Sequence, residues 1–272
     1  MKDDYEFWVI SDANNPIMRS KIENTCARLG VHCENVPQSI HNLPYLYRSP
    51  GDNYNNPNVR HCNSVQWAWN NFFSKHDGPV MVIDSDMFPV RPFSVAEMVK
   101  KDQLAGVFWS TEDLITKKNF GYLWLALIMF NNATLPDRGS ICFNCGYLPG
   151  TQTICDSGGW TGLYLQKYKG IVSVLPLSYK MGFEFFCPYR YAPDHVQTDK
   201  TPDNIVIQEL TKRGFSEDEI LLCLKRPYTI EFLGNNQFLH YRAGTNYENY
   251  SNDILSSKDK ILLEFFDRIL SK

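Results

Sequence analysis

Long apolar runs are missing from this chain of 272 residues. The longest, Tyr122 to Phe130, covers nine residues, far short of the ~20 that a membrane-spanning helix needs. The opening Met1-Lys2-Asp3-Asp4-Tyr5 carries no apolar signal region, so the expectation is a soluble, cytoplasmic protein with no membrane span. If the source were a virus, the compartment would be the host cytoplasm. No block of basic residues occurs and the formal net charge is −3, which argues against nucleic acid as a partner. Eight cysteines are too few for a disulfide-dense framework. Cys142-x-x-Cys145 has no second pair, so reduced, mostly buried thiols are expected rather than zinc or redox chemistry. Neither Gly-x-Gly-x-x-Gly after the first strand nor a Walker A loop is present, so a dinucleotide or P-loop fold has no support. Internal repeats and low-complexity segments are absent as well.

What remains is an ordinary globular composition, 43% hydrophobic and 21% charged, with a high 14% of aromatics. Residues 6–12 read as a first strand, and Pro16 suits the first turn of a helix closed by Gly30. A strand over 31–36 and a long loop over 37–58 follow. Residues 57–75 are helical by spacing, with Val59, Cys62, Val65, Trp69 and Phe72 on one stripe. The order β-α-β-loop-α-β then predicts a mainly parallel sheet with helices on its faces. In the second half, strands are expected over 103–109, 123–130, 142–147 and 171–177. A helix is expected to open at Asp156-Ser157-Gly158-Gly159-Trp160 and end near Gly170, and another to run from Thr201-Pro202 to Gly214. Ser216-x-x-Glu219 is a capping box. Gly234-Asn235-Asn236 reads as a turn between two strands, and Leu262, Phe265, Phe266 and Ile269 mark the apolar face of a closing helix.

The most informative stretch is Val80-Met81-Val82-Ile83-Asp84-Ser85-Asp86. Four aliphatic residues predict a strand buried on both faces. Two carboxylates one residue apart then end it, where an unpaired buried acid would be strongly disfavoured. At the carboxyl edge of an open α/β sheet, where ligands bind, the same pair is well placed to hold a hard divalent cation. Asp and Ser are also simple turn formers, so the triplet alone does not decide the matter.

This strand, its Asp-x-Asp and the Met87-Phe88-Pro89-Val90 that follows resemble the GT-A glycosyltransferases. The resemblance spans essentially the whole chain. It implies a single domain over 1–272, with a nucleotide-binding half at 1–100. Residues 101–272 would form an acceptor-binding half carrying a C-terminal metal and diphosphate segment. The implied fold is α/β, a GT-A-like (Rossmann-like) open, mainly parallel sheet flanked by helices, with a smaller antiparallel acceptor-side subregion. The implied activity is transfer of a sugar from a nucleotide-sugar (UDP- or GDP-sugar) to a hydroxyl of a glycan or other acceptor, with Mn²⁺ or Mg²⁺ as cofactor.

Two carboxylates fill too few coordination positions, so a third protein ligand is expected. His240 is the candidate: it ends a strand and precedes a loop containing Gly. By the resemblance, Asp84, Asp86 and His240 hold the metal. Asp84, Ser85, Arg242, Gly244 and Asn246 would contact the donor's diphosphate. Arg242 stands before the Gly rather than after it, a departure from the family pattern. Ser11 and Asp12 after the first strand, and Arg60 on the helix before Asp-x-Asp, are assigned to the nucleoside. Asp156 is assigned to the acceptor hydroxyl as general base, with Trp160 as a sugar-stacking wall and Asp137, Asp194 and Glu184 as rivals. Two other readings use the same residues. A haloacid-dehalogenase-like phosphatase would make the first Asp a nucleophile, but two strands precede the motif here. A non-enzymatic glycan-binding module would use the aromatics alone.

Overall fold

The computed structural model describes residues 1–41, 57–112, 116–151, 153–180, 204–223, 230–241 and 252–270. In chain order the elements begin with β1 (Trp8–Ser11), α1 (Pro16–Leu29), β2 (His32–Asn35), α2 (Gln38–His41), α3 (Pro57–Asn71) and β3 (Pro79–Ile83). They continue with β4 (Met87–Pro89), α4 (Val95–Met98), β5 (Leu104–Glu112), β6 (Asn119–Asn131), β7 (Gly146–Tyr147), β8 (Ile154–Cys155), α5 (Thr161–Lys167) and β9 (Val174–Pro176). The last are β10 (Tyr179–Lys180), α6 (Asn204–Lys212), α7 (Glu217–Cys223), β11 (Ile230–Leu233), β12 (Phe238–Tyr241) and α8 (Asn252–Leu270). None of the described helices is long and apolar enough to cross a membrane.

The backbone gathers into two compact units that interleave in sequence. One holds Met1–Ile83 and Ser94–Pro176; the other holds Asp84–Phe93 and Leu177–Lys272. These do not coincide with the halves expected at residue 100. The ten residues from Asp84 onward leave the unit of the strand that precedes them.

In the first unit, α1 forms where its ends are specified. Asn15 Oδ1 accepts from the Ile17 and Met18 backbone N–H groups, Pro16 opens the helix, and Gly30 closes it at φ 66°. β1 and β2 pair in parallel, Trp8 opposite His32 through Ser11 opposite Asn35. The larger sheet has the order β3-β6-β5-β9. In it β6 is antiparallel to both neighbours and only β5–β9 is parallel. The molecule is thus mixed α/β, and among the described strands antiparallel pairing predominates over the expected parallel kind. The cause is local: six residues separate β5 from β6, too few to carry a crossover helix.

The core of this unit packs Val59, Cys62 and Trp69 of α3 against Val80, Leu104, Leu123, Leu125, Ile128 and Phe130 of the sheet. Val65 of the predicted stripe packs here partly buried, whereas Phe72 follows the end of α3 and meets Trp8 and Trp67 instead. Trp69 also donates its indole N–H to the Arg138 carbonyl at 3.0 Å, so the largest buried ring has its polar atom satisfied. β3 differs from expectation. Only Val80 is buried, and Met81, Val82 and Ile83 are half-buried, because β3 lies at the edge of this sheet among the described residues.

The second unit is built on an antiparallel sheet of order β10-β11-β12-β4. The β11–β12 hairpin turns through Gly234, Asn235 and Asn236, all at positive φ, which glycine and asparagine adopt most easily. Its apolar face packs Phe232, Leu239 and Tyr241 against Leu210, Phe215 and Ile220, with Leu262 and Phe266 of α8 closing over them. The capping box forms reciprocally: Glu219 N–H donates to Ser216 Oγ, and Ser216 N–H donates to Glu219 Oε2 at 2.8 Å. Glu219 further accepts from Arg268 of α8 at 2.7 Å, which ties two helices of the unit together.

That bond gives a pH signature. Arg268 beside Glu219 holds the carboxyl well below its ordinary 4.5, at about 2. A depressed carboxylate contributes stability that is complete above the unfolded value and is lost as pH falls through the folded one. Glu219→Gln should therefore melt below the parent at pH 7, and the difference should shrink between pH 4.5 and about 2. Thermal melts across that window check this; parallel curves for the two proteins would contradict it.

Candidate functional site

After β3 the chain turns sharply: Met87 N–H donates to the Asp84 carbonyl at 3.1 Å. Met87 to Pro89 then form β4 and pair antiparallel with β12, Met87 opposite His240, Phe88 opposite Leu239 and Pro89 opposite Phe238. Pro89 lacks an N–H, which suits this short strand at a sheet edge. Tyr241 N–H donates to the Asp86 carbonyl at 2.8 Å, and Val90 N–H to the Gln237 carbonyl at 2.8 Å. This ladder carries Asp86 to the side of His240.

The hairpin register does the rest. Glu231 stands directly opposite His240 across β11–β12, so the two side chains share one face. His240 Nδ1 lies 2.7 Å from Glu231 Oε2. The Tyr179 hydroxyl donates to the same Glu231 oxygen at 2.6 Å. On the other side of the ring, His240 Nε2 lies 3.6 Å from Asp86 Oδ1, within ion-pair reach but beyond hydrogen-bond length. Glu231 is fully buried and His240 nearly so, whereas the Asp86 side chain keeps 13% of its exposure. Asp84 is half-buried and Ser85 is exposed.

Burial alone would push the His240 pKa down. The Glu231 bond and charge, then the charges of Asp86 and Asp84, push it up and prevail, leaving it above its ordinary value. Three acids around one imidazole make a locus that favours added positive charge. The structure thus brings together Asp86 and His240, with Asp84 close enough to act on the ring electrostatically. Arg242, Gly244 and Asn246 lie outside the described residues.

Glu231 and Tyr179 were not singled out from the sequence. A signal existed for Glu231: it is the acid inside the apolar Ile230-Glu231-Phe232-Leu233, and a turn at Gly234-Asn235-Asn236 sets it opposite His240. Tyr179 had no such signal, since it reaches the site by pairing β10 with β11, Tyr179 opposite Leu233.

Among the described residues no group of three or more His, Cys, Asp or Glu is gathered as a metal site would gather them. The adjacent Asp86 and His240 do offer one oxygen and one nitrogen donor side by side. Their chemistry fits a divalent cation, and an imidazole among oxygens favours Mn²⁺ over Mg²⁺, which takes nearly all-oxygen shells.

The remaining candidates belong to the first unit. Ser11 ends β1 buried, its Oγ accepting from Ala13 N–H at 3.4 Å, and Asp12 beside it is half-buried. Arg60 is half-buried on α3, and its Nε is enclosed with no hydrogen-bond partner among the described residues. Asp156 is not a helix cap. Helix α5 starts at Thr161, with Trp160 at its cap position. Asp156 Oδ1 accepts instead from Asn58 Nδ2 at 2.9 Å and from Ser157 N–H at 2.8 Å, fixing a turn against the start of α3. Trp160 packs beside Phe120, Tyr122, Leu148 and Cys155. Asp137 is occupied by Lys167 and Tyr168 and sits at φ 43° in a turn. Glu184 and Asp194 lie outside the described residues.

Set against protein-family models, curated proteins and solved structures, the chain matches none of them.

The glycines after Asp156 are explained by packing rather than by ligand approach. A Cβ on Gly158 would stand 2.5 Å from the Leu123 carbonyl oxygen, and one on Gly159 2.0 Å from Cys155 Cβ. Gly158 is also at φ 82°. Gly158→Ala should cost more than about 1 kcal/mol of stability, measured by urea unfolding. A variant as stable as the parent would contradict this account of the turn.

Proposed function

We propose that the chain is a metal-dependent glycosyltransferase of the GT-A kind, moving a sugar from a UDP- or GDP-sugar to a hydroxyl of a glycan or other acceptor. The observation that carries the reading is the meeting of Asp86, from the Asp-x-Asp after β3, with the buried His240 of β12. Side by side, that carboxylate and that imidazole offer an oxygen and a nitrogen donor to one cation.

In this reading Asp86 and His240 hold the cation, with Asp84 as a further carboxylate beside them. When bound, the ion neutralises charge on the diphosphate leaving group. The chain's own residues do the rest. The β4–β12 ladder fixes the separation of the two donors, so little ordering remains for the moment of binding. Ser85, exposed at the tip of the turn, is assigned to the donor together with Arg242, Gly244 and Asn246. Ser11, Asp12 and Arg60 are assigned to the nucleoside, and the enclosed Nε of Arg60 supports a polar ligand there. Asp156 is assigned to receive the acceptor's proton. Its Oδ1 is pinned by Asn58 and Ser157, which orients the carboxylate as a general base requires.

The test is a thermal-shift panel of UDP- and GDP-sugars with and without Mn²⁺. A donor at a hundred times its dissociation constant should add about 2.7 kcal/mol of stability. Asp86→Ala should keep the parent's melting temperature without ligand and lose the Mn²⁺-dependent shift. Stabilisation of Asp86→Ala by donor and metal equal to the parent's would remove the central assignment. Shifts with free glycans that ignore Mn²⁺ would favour a glycan-binding module.

A second arm addresses Asp156. Asp156→Asn should lower turnover by ~10²-fold or more with donor affinity nearly unchanged. Normal turnover would reduce Asp156 to the turn-fixing role that its bonds to Asn58 and Ser157 already describe.

A further inference from the structure

We infer that Glu231 and Tyr179 are positioning residues that lock His240 as its Nδ1–H tautomer, so that Nε2 turns a lone pair toward Asp86. The inference rests on the reading of Asp86 and His240 as cation ligands, but its first readout needs no cation.

An imidazole has two nitrogens, and which one carries the proton is set by the bond the other makes. Glu231 is fully buried and its Oε2 stands 2.7 Å from Nδ1. With the Glu231 oxygen accepting, that contact makes Nδ1 the donor. The Tyr179 hydroxyl donates to that same Oε2 at 2.6 Å, which holds the carboxylate at one end while the imidazole takes it from the other. Backbone pairing leaves little slack: Glu231 is opposite His240, and Tyr179 is opposite Leu233 on the next strand.

Packing does not explain these groups. The neighbours of Glu231 on its strand, Phe232 and Leu233, are wholly buried apolar residues, and an apolar side chain at 231 would fill that position at least as favourably. It could not hold an N–H. With Nδ1 protonated, Nε2 is an acceptor, and it lies 3.6 Å from a second acceptor, Asp86 Oδ1. The two atoms become a favourable pair once a positive charge lies between them, a second ring proton at low pH or a cation when the ring is neutral. A carboxylate behind an imidazole in this way fixes ring orientation and raises ligand basicity, and losing it typically weakens metal affinity by 10–100-fold.

The test uses the full chain labelled with ¹⁵N. Long-range proton–nitrogen correlations at pH 8.5, assigned by loss of the signals in His240→Gln, report the tautomer. The parent should show Nδ1–H. Glu231→Leu should shift the ring toward Nε2–H and weaken binding of Mn²⁺ alone, titrated by electron paramagnetic resonance, by about 10–100-fold. Glu231→Gln, whose amide oxygen can still accept from Nδ1, should keep the tautomer and lose less affinity. Tyr179→Phe should also keep Nδ1–H, with a smaller loss of affinity than Glu231→Leu.

A parent ring that is Nε2–H or doubly protonated at that pH would overturn the inference. So would a folded Glu231→Leu that retains both tautomer and affinity. Should Glu231→Leu fail to fold, the parent's tautomer and the Glu231→Gln spectrum decide. A parent that shows Nδ1–H yet binds no Mn²⁺ would leave the tautomer lock standing and remove the cation reading.

Discussion

The candidate site depends on one short ladder, the antiparallel pairing of β4 with β12. Three residue pairs and the bond from Tyr241 N–H to the Asp86 carbonyl join segments far apart in the chain. Without them Asp84 and Asp86 would be turn residues after an edge strand, and His240 a buried histidine in a hairpin. With them a carboxylate and an imidazole stand 3.6 Å apart. The ladder also decides to which unit the Asp-x-Asp belongs, since the ten residues from Asp84 to Phe93 group with the C-terminal unit rather than with β3.

Electrostatics makes this pairing consequential. Burying Glu231 and His240 together costs desolvation that a mutual bond only partly offsets. The Tyr179 hydroxyl supplies one further bond to that carboxylate. The acids that remain, Asp86 and Asp84, lie nearer solvent and add to the negative potential at the ring. A cluster of this kind is a weak device for stability and a good one for attracting a cation. The apolar packing of Phe232, Leu239 and Tyr241 against α6, α7 and α8 supplies the rigidity behind it.

Much of the local structure was legible because it is written in neighbouring residues. Pro16 and Gly30 at the ends of α1, the Ser216–Glu219 box, most of the α3 stripe and the Gly234-Asn235-Asn236 turn each rest on contacts within a few positions. Pairing partners are not so written. The order of elements pointed to a mainly parallel sheet, yet β5 turns straight back into β6 and makes an antiparallel one. β4 was hidden because Met87-Phe88-Pro89 is too short to show alternation and contains proline. Asp156 resembled a helix cap because glycines follow it, whereas those glycines serve the close approach of the turn to Leu123 and Cys155. At the candidate site, the residue types of Asp84, Asp86 and His240 were readable. The supporting pair Glu231 and Tyr179 was not, because its role appears only once three strands are in register.

The central claim is that Asp86 and His240 bind the same divalent ion. Electron spin-echo envelope modulation on the Mn²⁺-loaded chain, with histidine alone labelled by ¹⁵N, reads it directly. The account predicts a ¹⁵N coupling of a directly bound imidazole, present in the parent and absent in His240→Gln. Bound Mn²⁺ that shows no histidine coupling in the parent would contradict it.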